Sequence, residues 1–117
     1  MRRRTAALAA TIACVVGLTA AAAAPAATTR ACGSVRDPYP GTRYAGVDLS
    51  HITATGVSCR TARSVARGAH RRALGITPPV SGIRTFTWNG WKVRGDLRPA
   101  SDRYVATRGS RRVRWRF

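Results

Sequence analysis

Two turn signals in the last third of the chain constrain its fold more than any other feature of the sequence. The Asn-Gly dipeptide at 89–90 is typical of two-residue β-hairpin turns. A turn there pairs Trp88 with Trp91 across the hairpin. Because side chains on a strand alternate between two faces, the pair Phe86 and Val93 lies on the same face as the two tryptophans. The stretch therefore predicts a hairpin with one aromatic face.

A second turn signal, the Gly-Ser dipeptide at 109–110, repeats this division into two faces. A turn there pairs Ala106 with Val113, and the next pair on that face is Tyr104 with Trp115. The opposite faces of the two hairpins collect basic side chains: Lys92, Arg94, Arg112, Arg114 and Arg116. Since two independent turns predict the same two faces, the pattern favours an antiparallel sheet with an apolar side and a basic side.

An amphipathic helix is predicted between Ser58 and Gly75. The Ser58 hydroxyl can cap the helix by accepting a hydrogen bond from an amide of the first turn. Small apolar side chains recur at helical spacing on one face: Cys59, Ala62, Val65, Ala66, Ala69 and Ala73. A neighbouring face carries a row of arginines: Arg60, Arg63, Arg67 and Arg71. Gly75 and the prolines at 78–79 end the helix.

The predicted fold class is α+β, with one α-helix packed on a small antiparallel β-sheet of four or five strands. Residues 44–54 contain Val47, Leu49 and Ile52 and predict a further strand, although the alternation is imperfect. Residues 27–43 contain two prolines and two glycines and predict an irregular N-terminal lead. Residues 44–117 are then expected to form a single domain.

Residues 1–26 predict a cleavable signal peptide. Three arginines at 2–4 precede an uncharged, alanine-rich stretch that ends at a small-x-small site at 24–26. Pro25 and its small neighbours favour cleavage over a retained membrane anchor, which is one alternative. Acylation of Cys14 as a lipoprotein is another, but Thr11 stands where that signal needs a leucine-like residue. We therefore expect a secreted, extracytoplasmic product.

The predicted mature chain keeps two cysteines, Cys32 and Cys59. Removing 26 of the 117 residues leaves 91, which suffices for one small domain. In an oxidising compartment the two cysteines are expected to form one disulfide, closing a loop of about 28 residues. A free reactive thiol is the alternative.

The mature chain is very basic, because the formal charge of +17 falls only to +14 without the three arginines at 2–4. Lys92 is the only lysine, and the sequence has four aspartates and no glutamate. Such a surface attracts polyanions, and the arginine fork binds phosphates and carboxylates through two parallel hydrogen bonds. We expect a monomer that binds an anionic polymer, an anionic lipid surface or an acidic protein. A solvated basic surface without a dedicated partner is the alternative.

Specific nucleic-acid binding is not predicted. Proteins that bind single strands place exposed aromatic side chains among their basic residues. The tryptophans of this chain, Trp88, Trp91 and Trp115, are instead needed for a core that has few other large residues.

Catalytic signals are weak. His51 and His70 are the only histidines, and no glutamate is present to form a carboxylate pair. Ser50 and His51 are neighbours on a predicted strand and are expected to point to opposite faces. No metal site or cofactor is predicted, since the disulfide uses both cysteines and two histidines make a poor site.

The segment 52–63, ITATGVSCRTAR, resembles a run found in small secreted proteins of actinobacteria-like, high-GC bacteria. In those proteins a strand leads into a helix that begins with GVSCxTAR. They end in a glycine-tryptophan-x-cysteine strand and a cysteine-x-x-glycine hairpin. Residues 90–93 and 106–109 look like these elements with both cysteines replaced. The resemblance covers roughly residues 44–117 and implies the fold, the export and a second disulfide that this chain lacks; it implies no activity.

The favoured functional hypothesis is a secreted, non-enzymatic binding module of the cell envelope or extracellular space. Its binding residues would be the basic side chains of the hairpins and of the helix. One alternative is a ligand or inhibitor of another protein that docks through the connector 77–82. A remote alternative is a small hydrolase that uses His51 or His70.

Overall fold

A computed structural model describes residues 28–76 and 82–117, together with Gly17. Its elements in chain order are β1 (Thr29–Val35), β2 (Leu49–Thr55), α1 (Cys59–Leu74), β3 (Gly82–Trp88), β4 (Trp91–Leu97), β5 (Arg103–Arg108) and β6 (Arg111–Arg116). The predicted signal peptide and nearly all of the predicted docking connector lie outside the described residues.

The strands form one antiparallel sheet in the order β1-β2-β6-β5-β4-β3, and α1 packs on one side of it. The predicted α+β class, with a helix on an antiparallel sheet and a disulfide between Cys32 and Cys59, is confirmed. The predicted strand number is wrong, because the sheet has six strands rather than four or five.

The additional strand is β1, which lies in the segment that was expected to be irregular. Only Cys32 and Val35 of this strand are buried, so it shows no apolar alternation in the sequence. Its pairing with β2 is also irregular, with register shifts on both sides of Gly33. Such bulges are common at sheet edges, and β1 is held there by backbone pairing with β2, by the disulfide and by the burial of Val35.

A bulge in β2 explains the imperfect alternation of that segment. Leu49 and Ile52 are both buried although three positions separate them. The register with β6 shifts between Ser50 and Thr53, and His51 within the shift has a φ of 51°. The extra residue turns the following side chains over, so that apolar residues on both sides of the bulge reach the core.

Both predicted hairpins are confirmed in register. Trp88 lies opposite Trp91, and Asn89 and Gly90 have φ angles of 45° and 78°. Positive φ at both central residues is the signature of a type I′ turn, which asparagine and glycine tolerate better than other residues. In the second hairpin Tyr104 lies opposite Trp115, and the two rings stack with centroids 5.3 Å apart.

The helix begins and packs as the sequence predicts. The Ser58 hydroxyl accepts a hydrogen bond from the Thr61 amide at 3.1 Å. Its buried side chains are Ala62, Val65, Ala66, Ala69, His70 and Ala73. The four alanines among them bring the helix close to the aromatic side of the sheet, where Trp115 is 1% exposed.

Gly68 is a point of close contact between α1 and the first hairpin. A Cβ atom added there would overlap the indole ring of Trp88. The glycine weakens the isolated helix by about 1 kcal/mol relative to alanine. It is nevertheless required, because the ring occupies the space that a methyl group would need.

Gly68→Ala is therefore expected to destabilise the protein, although alanine is the better helix former. Overpacking of this kind costs about 1–3 kcal/mol, which outweighs the gain in helix propensity. We expect a melting temperature lower by about 5–10 °C. Gly75→Ala is the matched control, since its added methyl would lie 3.5 Å from the nearest atom, the carbonyl oxygen of Arg72. A melting temperature raised by Gly68→Ala would contradict this packing.

Candidate polyanion-binding face

The sheet has two faces of opposite character. The inner face carries the aromatic and aliphatic core and is covered by α1. The opposite side, called the outer face below, carries six basic side chains on β4, β5 and β6: Lys92, Arg94, Arg103, Arg112, Arg114 and Arg116. The predicted basic sheet residues are thus brought together on one surface.

Strand register places the basic residues next to hydroxyl groups. Arg112 lies opposite Thr55 on β2 and opposite Thr107 on β5. Arg114 lies opposite Thr53 on β2. Directly opposed residues on adjacent strands have Cβ atoms about 4.5–5.5 Å apart, so the arginines and threonines form neighbouring rows of donors.

Arg103 belongs to this face and was missed by the sequence analysis. It lies opposite Arg116 on β6 and opposite Asp96 on β4. The sequence contained the information needed to find it. The Gly-Ser turn pairs Tyr104 with Trp115, and the next pair in the same register is Arg103 with Arg116.

The carboxylate on the outer face does not cancel the basic residues around it. Asp96 accepts hydrogen bonds from Arg98, with its Oδ2 at 2.7 Å from Nη2 and 3.0 Å from Nε. This is the one ion pair within the described ranges, and the Arg98 hydrogen bond holds the pKa of Asp96 below its usual value. The negative charge of Asp96 is therefore offset by a cation outside the row.

The other aspartates hold loops together. Oδ1 of Asp37 accepts from the Gly46 amide at 2.8 Å, and Oδ1 of Asp48 accepts from the Asp37 amide at 2.8 Å. Oδ1 of Asp102 accepts from the Arg98 amide at 3.1 Å. These carboxylates lie in connections between strands, so the outer face keeps a large excess of positive charge.

Two adjacent cavities lie on the outer face, and together we call them the outer trough. The first, of about 770 Å³, reaches Thr29 at the edge of the sheet. The second, of about 560 Å³, reaches Thr85 on β3. They share the residues Val105, Thr107, Arg112 and Arg114. The trough therefore runs across the strands rather than along one of them.

The predicted helix row is separate from the outer face. Its members, Arg60, Arg63, Arg67 and Arg71, are exposed on α1, which covers the inner face. Nη1 of Arg63 donates a hydrogen bond to the Cys32 carbonyl at 3.2 Å, so this guanidinium is tied to β1. The two basic patches lie on opposite sides of the molecule and cannot form one surface.

The tryptophan side chains belong to the core side of the sheet, although Trp115 is also among the residues that border the first cavity. Trp91 and Trp115 are 5% and 1% exposed, respectively. Trp88 is half-buried and packs over Gly68 of the helix. The large hydrophobic residues that are exposed within the described ranges are aliphatic, Val47 and Ile83. Their positions confirm that the core uses the tryptophans.

Ser50 and His51 contact each other, which corrects the expectation that they point to opposite faces. Nδ1 of His51 lies 3.1 Å from Oγ of Ser50. The expectation assumed a regular strand, whereas the β2 bulge and the positive φ of His51 redirect its side chain. His51 also lines the outer trough. Its near neighbours there are basic or hydroxylic rather than acidic, so no carboxylate orients this imidazole.

His70 is fully buried and structural. Its Nδ1 lies 2.7 Å from the Tyr39 hydroxyl, and its ring packs against Phe117 with centroids 4.1 Å apart. Burial, together with the positive charge of Arg84, lowers the pKa of His70 to about 4. Burial raises the pKa of Tyr39 to about 12, so the Tyr39 hydroxyl stays protonated at neutral pH.

The described residues contain no helix long and apolar enough to cross a membrane. They also contain no cluster of three or more histidine, cysteine or acidic side chains that could hold a metal ion. Comparison of the chain with protein-family models, with curated proteins and with solved structures gives no match.

Proposed function

We propose that this protein is a secreted, non-enzymatic binding module that holds polyanions on the outer face of its sheet. One observation carries the proposal: the six basic side chains of the outer face line the trough, and the carboxylate on that face, Asp96, is paired with Arg98. Arginine binds phosphate and carboxylate groups in a planar, two-bonded geometry. Five of the six basic residues are arginines, so the face is suited to oxyanions.

The rigid sheet makes the outer face a better binding surface than the helix row. Residues on one face of a strand are spaced about 6.7 Å apart, and adjacent strands lie about 4.8 Å apart. The resulting array of cations has a fixed spacing before any ligand arrives, which reduces the ordering cost of binding. On the helix, Arg63 already donates to a backbone carbonyl.

Export is part of the proposal and rests on two features of the sequence and structure. The N-terminal residues 1–26 have the pattern of a signal peptide. The disulfide between Cys32 and Cys59 is typical of small domains that work in an oxidising compartment. In that compartment the polyanions available are envelope polymers, anionic lipids and extracellular nucleic acid.

Charge reversal on the sheet is expected to weaken polyanion binding strongly, whereas the same change on the helix is expected to weaken it little. Arg112→Glu/Arg114→Glu should weaken affinity for a panel of soluble polyanions by about 30-fold or more at physiological salt, corresponding to about 2 kcal/mol. Arg60→Glu/Arg67→Glu changes the net charge equally but should cost at most about threefold. The helix alone is about 10 Å across, which exceeds the Debye length of about 8 Å at that salt concentration.

The panel for this test consists of polyphosphate, dextran sulfate and poly-L-glutamate, with affinity measured by fluorescence anisotropy. Unchanged melting temperatures would show that both variants fold. Equal losses in the two variants would mean generic charge attraction and would overturn the proposal. So would the absence of binding to every polymer. Cleavage of a bound polymer that disappears in His51→Ala would contradict the non-enzymatic part.

A further inference from the structure

The outer trough crosses all six strands and therefore has the shape of a site for a linear molecule. One row of residues in register runs from β1 to β3: Thr29, Thr55, Arg112, Thr107, Lys92 and Thr87. Five steps between adjacent strands give the row a length of about 24 Å. Cations recur on every second strand along it, at β6 and β4. A narrow, elongated site with repeated cations matches a chain with repeated anions better than it matches a compact ligand.

A parallel row has the same alternation. It contains Thr53, Arg114, Val105, Arg94 and Thr85. The two rows lie about 6.7 Å apart, the spacing of alternate residues on a strand. Together they form two rails of basic side chains along the trough, with Thr107 between the cations of the first row, Val105 between those of the second, and a threonine at both ends of each pair of cations.

The hydroxyl groups favour phosphate over carboxylate as the repeated anion. Thr55 and Thr107 flank Arg112, and Thr53 lies beside Arg114. A phosphodiester presents two charged oxygens on a tetrahedral phosphorus, so donors can approach it from several directions. A carboxylate keeps its acceptor lone pairs in one plane, and an arginine fork takes two of its four acceptor sites, so further donors can approach only within that plane. Arginines interleaved with hydroxyl donors therefore suit a phosphodiester.

The trough offers nothing to the bases of a nucleic acid. Single strands with bases are usually held by stacking on aromatic side chains. The three tryptophans instead lie on the inner side of the sheet, in or against the core. Three aromatic residues also border the cavities, namely Phe86, Tyr104 and Trp115. None is exposed enough to offer a ring for stacking, since Tyr104 and Trp115 are buried and Phe86 is half-buried against the core.

We infer that the occupant of the outer trough is a linear phosphodiester polymer without bases, of the polyol-phosphate class found outside cells. This assignment rests on the proposed function and specifies its ligand. The polymer lies across the strands, with its phosphates at the arginines of β6 and at Lys92 and Arg94 of β4. The threonines beside them donate further hydrogen bonds to the phosphate oxygens.

The test compares four probes against the full, exported and oxidised protein. They are an abasic deoxyribose-phosphate oligomer, oligo-dT of equal length, poly-L-glutamate of equal charge number, and vesicles of mixed neutral and anionic phospholipid. The abasic oligomer and oligo-dT are expected to bind within about twofold of each other, because the bases make no contacts. Poly-L-glutamate is expected to bind about tenfold more weakly than the abasic oligomer, because its planar anions offer fewer directions of approach to the threonine donors.

Two sets of variants sharpen the test. Thr53→Val/Thr107→Val removes two hydroxyls at nearly constant volume. It should weaken the affinity for the abasic oligomer about tenfold and leave the affinity for poly-L-glutamate unchanged. Six phosphate contacts predict a slope of log affinity against log salt of about −4 for a single strand. Arg112→Gln/Arg114→Gln should reduce its magnitude by about 1.4, and Arg60→Gln/Arg67→Gln on the helix should leave it unchanged.

Each contrary result has a distinct meaning. Equal affinity for poly-L-glutamate and the abasic oligomer would overturn the phosphodiester assignment, although the proposed function would stand. Oligo-dT binding tenfold more tightly than the abasic oligomer would show that bases are recognised. A preference for vesicles would show that the face docks on a lipid surface. If no probe binds, the proposed function itself fails.

Discussion

Replacing Cys32 and Cys59 with serine is expected to lower the free energy of unfolding by about 3.5 kcal/mol. The bond joins residues separated by 27 positions, and closing a loop of that length restricts the unfolded chain by about this amount. For a domain of this size the melting temperature should fall by about 15–25 °C. Small domains have little stability to spare, so the variant should be close to unfolding at 37 °C.

Structure near the bond indicates where the loss will appear first. Cys32 is buried on the bulged edge strand β1, and Cys59 is the first residue of α1. Besides the disulfide, β1 is held by backbone pairing with β2, by the hydrogen bonds of Arg63 and Thr29, and by the buried side chain of Val35. In the double-serine variant the amides of β1 should lose hydrogen-exchange protection before those of β5 and β6. Reduction of the parent protein is the control, since matching melting temperatures would assign the loss to the cross-link. A fall of less than about 5 °C would contradict this role.

Acidification is expected to destabilise the protein through His70. Its pKa is lowered from 6.5 to about 4 by burial and by the Arg84 charge. Between these two values the unfolded chain binds a proton at this imidazole and the folded chain does not. Stability therefore rises with pH across this window. The contribution of the neutral His70 is fully present above pH 6.5 and is lost as the pH falls to about 4. The expected loss is about 3 kcal/mol.

The measurement is urea unfolding at several pH values, compared with His70→Gln. Glutamine stays neutral and can still bond with the Tyr39 hydroxyl, so the variant should be less stable at neutral pH and less sensitive to acid. The difference between parent and variant isolates His70 from the four aspartates. Groups around the imidazole, namely Arg84 from β3 and Tyr104 from β5, are unchanged in both proteins. Parallel curves for the two proteins would contradict this assignment.

Elements defined by neighbouring residues could be predicted from the sequence. The registers that pair Trp88 with Trp91 and Tyr104 with Trp115 follow from the dipeptides at 89–90 and 109–110. The helix from Cys59 to Leu74 follows from its cap at Ser58 and its apolar period. These features depend on contacts a few residues apart, which a short window of sequence contains.

Features that depend on distant contacts could not be predicted in this way. The strand β1 buries two side chains and is formed by pairing with β2 and by the disulfide to α1. The contact between Ser50 and His51 depends on a bulge that only pairing with β6 reveals. Arg84 lies two positions before Phe86 on β3 and therefore shares its inner face. There it is buried and donates a hydrogen bond to the Ala73 carbonyl at the end of the helix. The favourable potential at a helix C-terminus is what makes a buried cation tolerable there.

The residues of the candidate site also divide into those that the sequence could place and those that only tertiary contacts bring together. Alternation along the hairpins was enough to place five basic residues on one face and apolar residues on the other, because side chains on a strand alternate with a period of two. The amphipathic pattern of the helix also predicted that it packs on the sheet, but tertiary structure alone decided that β2 inserts beside β6. That strand order brings the threonines of β2 next to the arginines of β6 and extends the outer trough across the sheet. Such order is set by pairing between segments some sixty residues apart, which no local pattern in this sequence encodes.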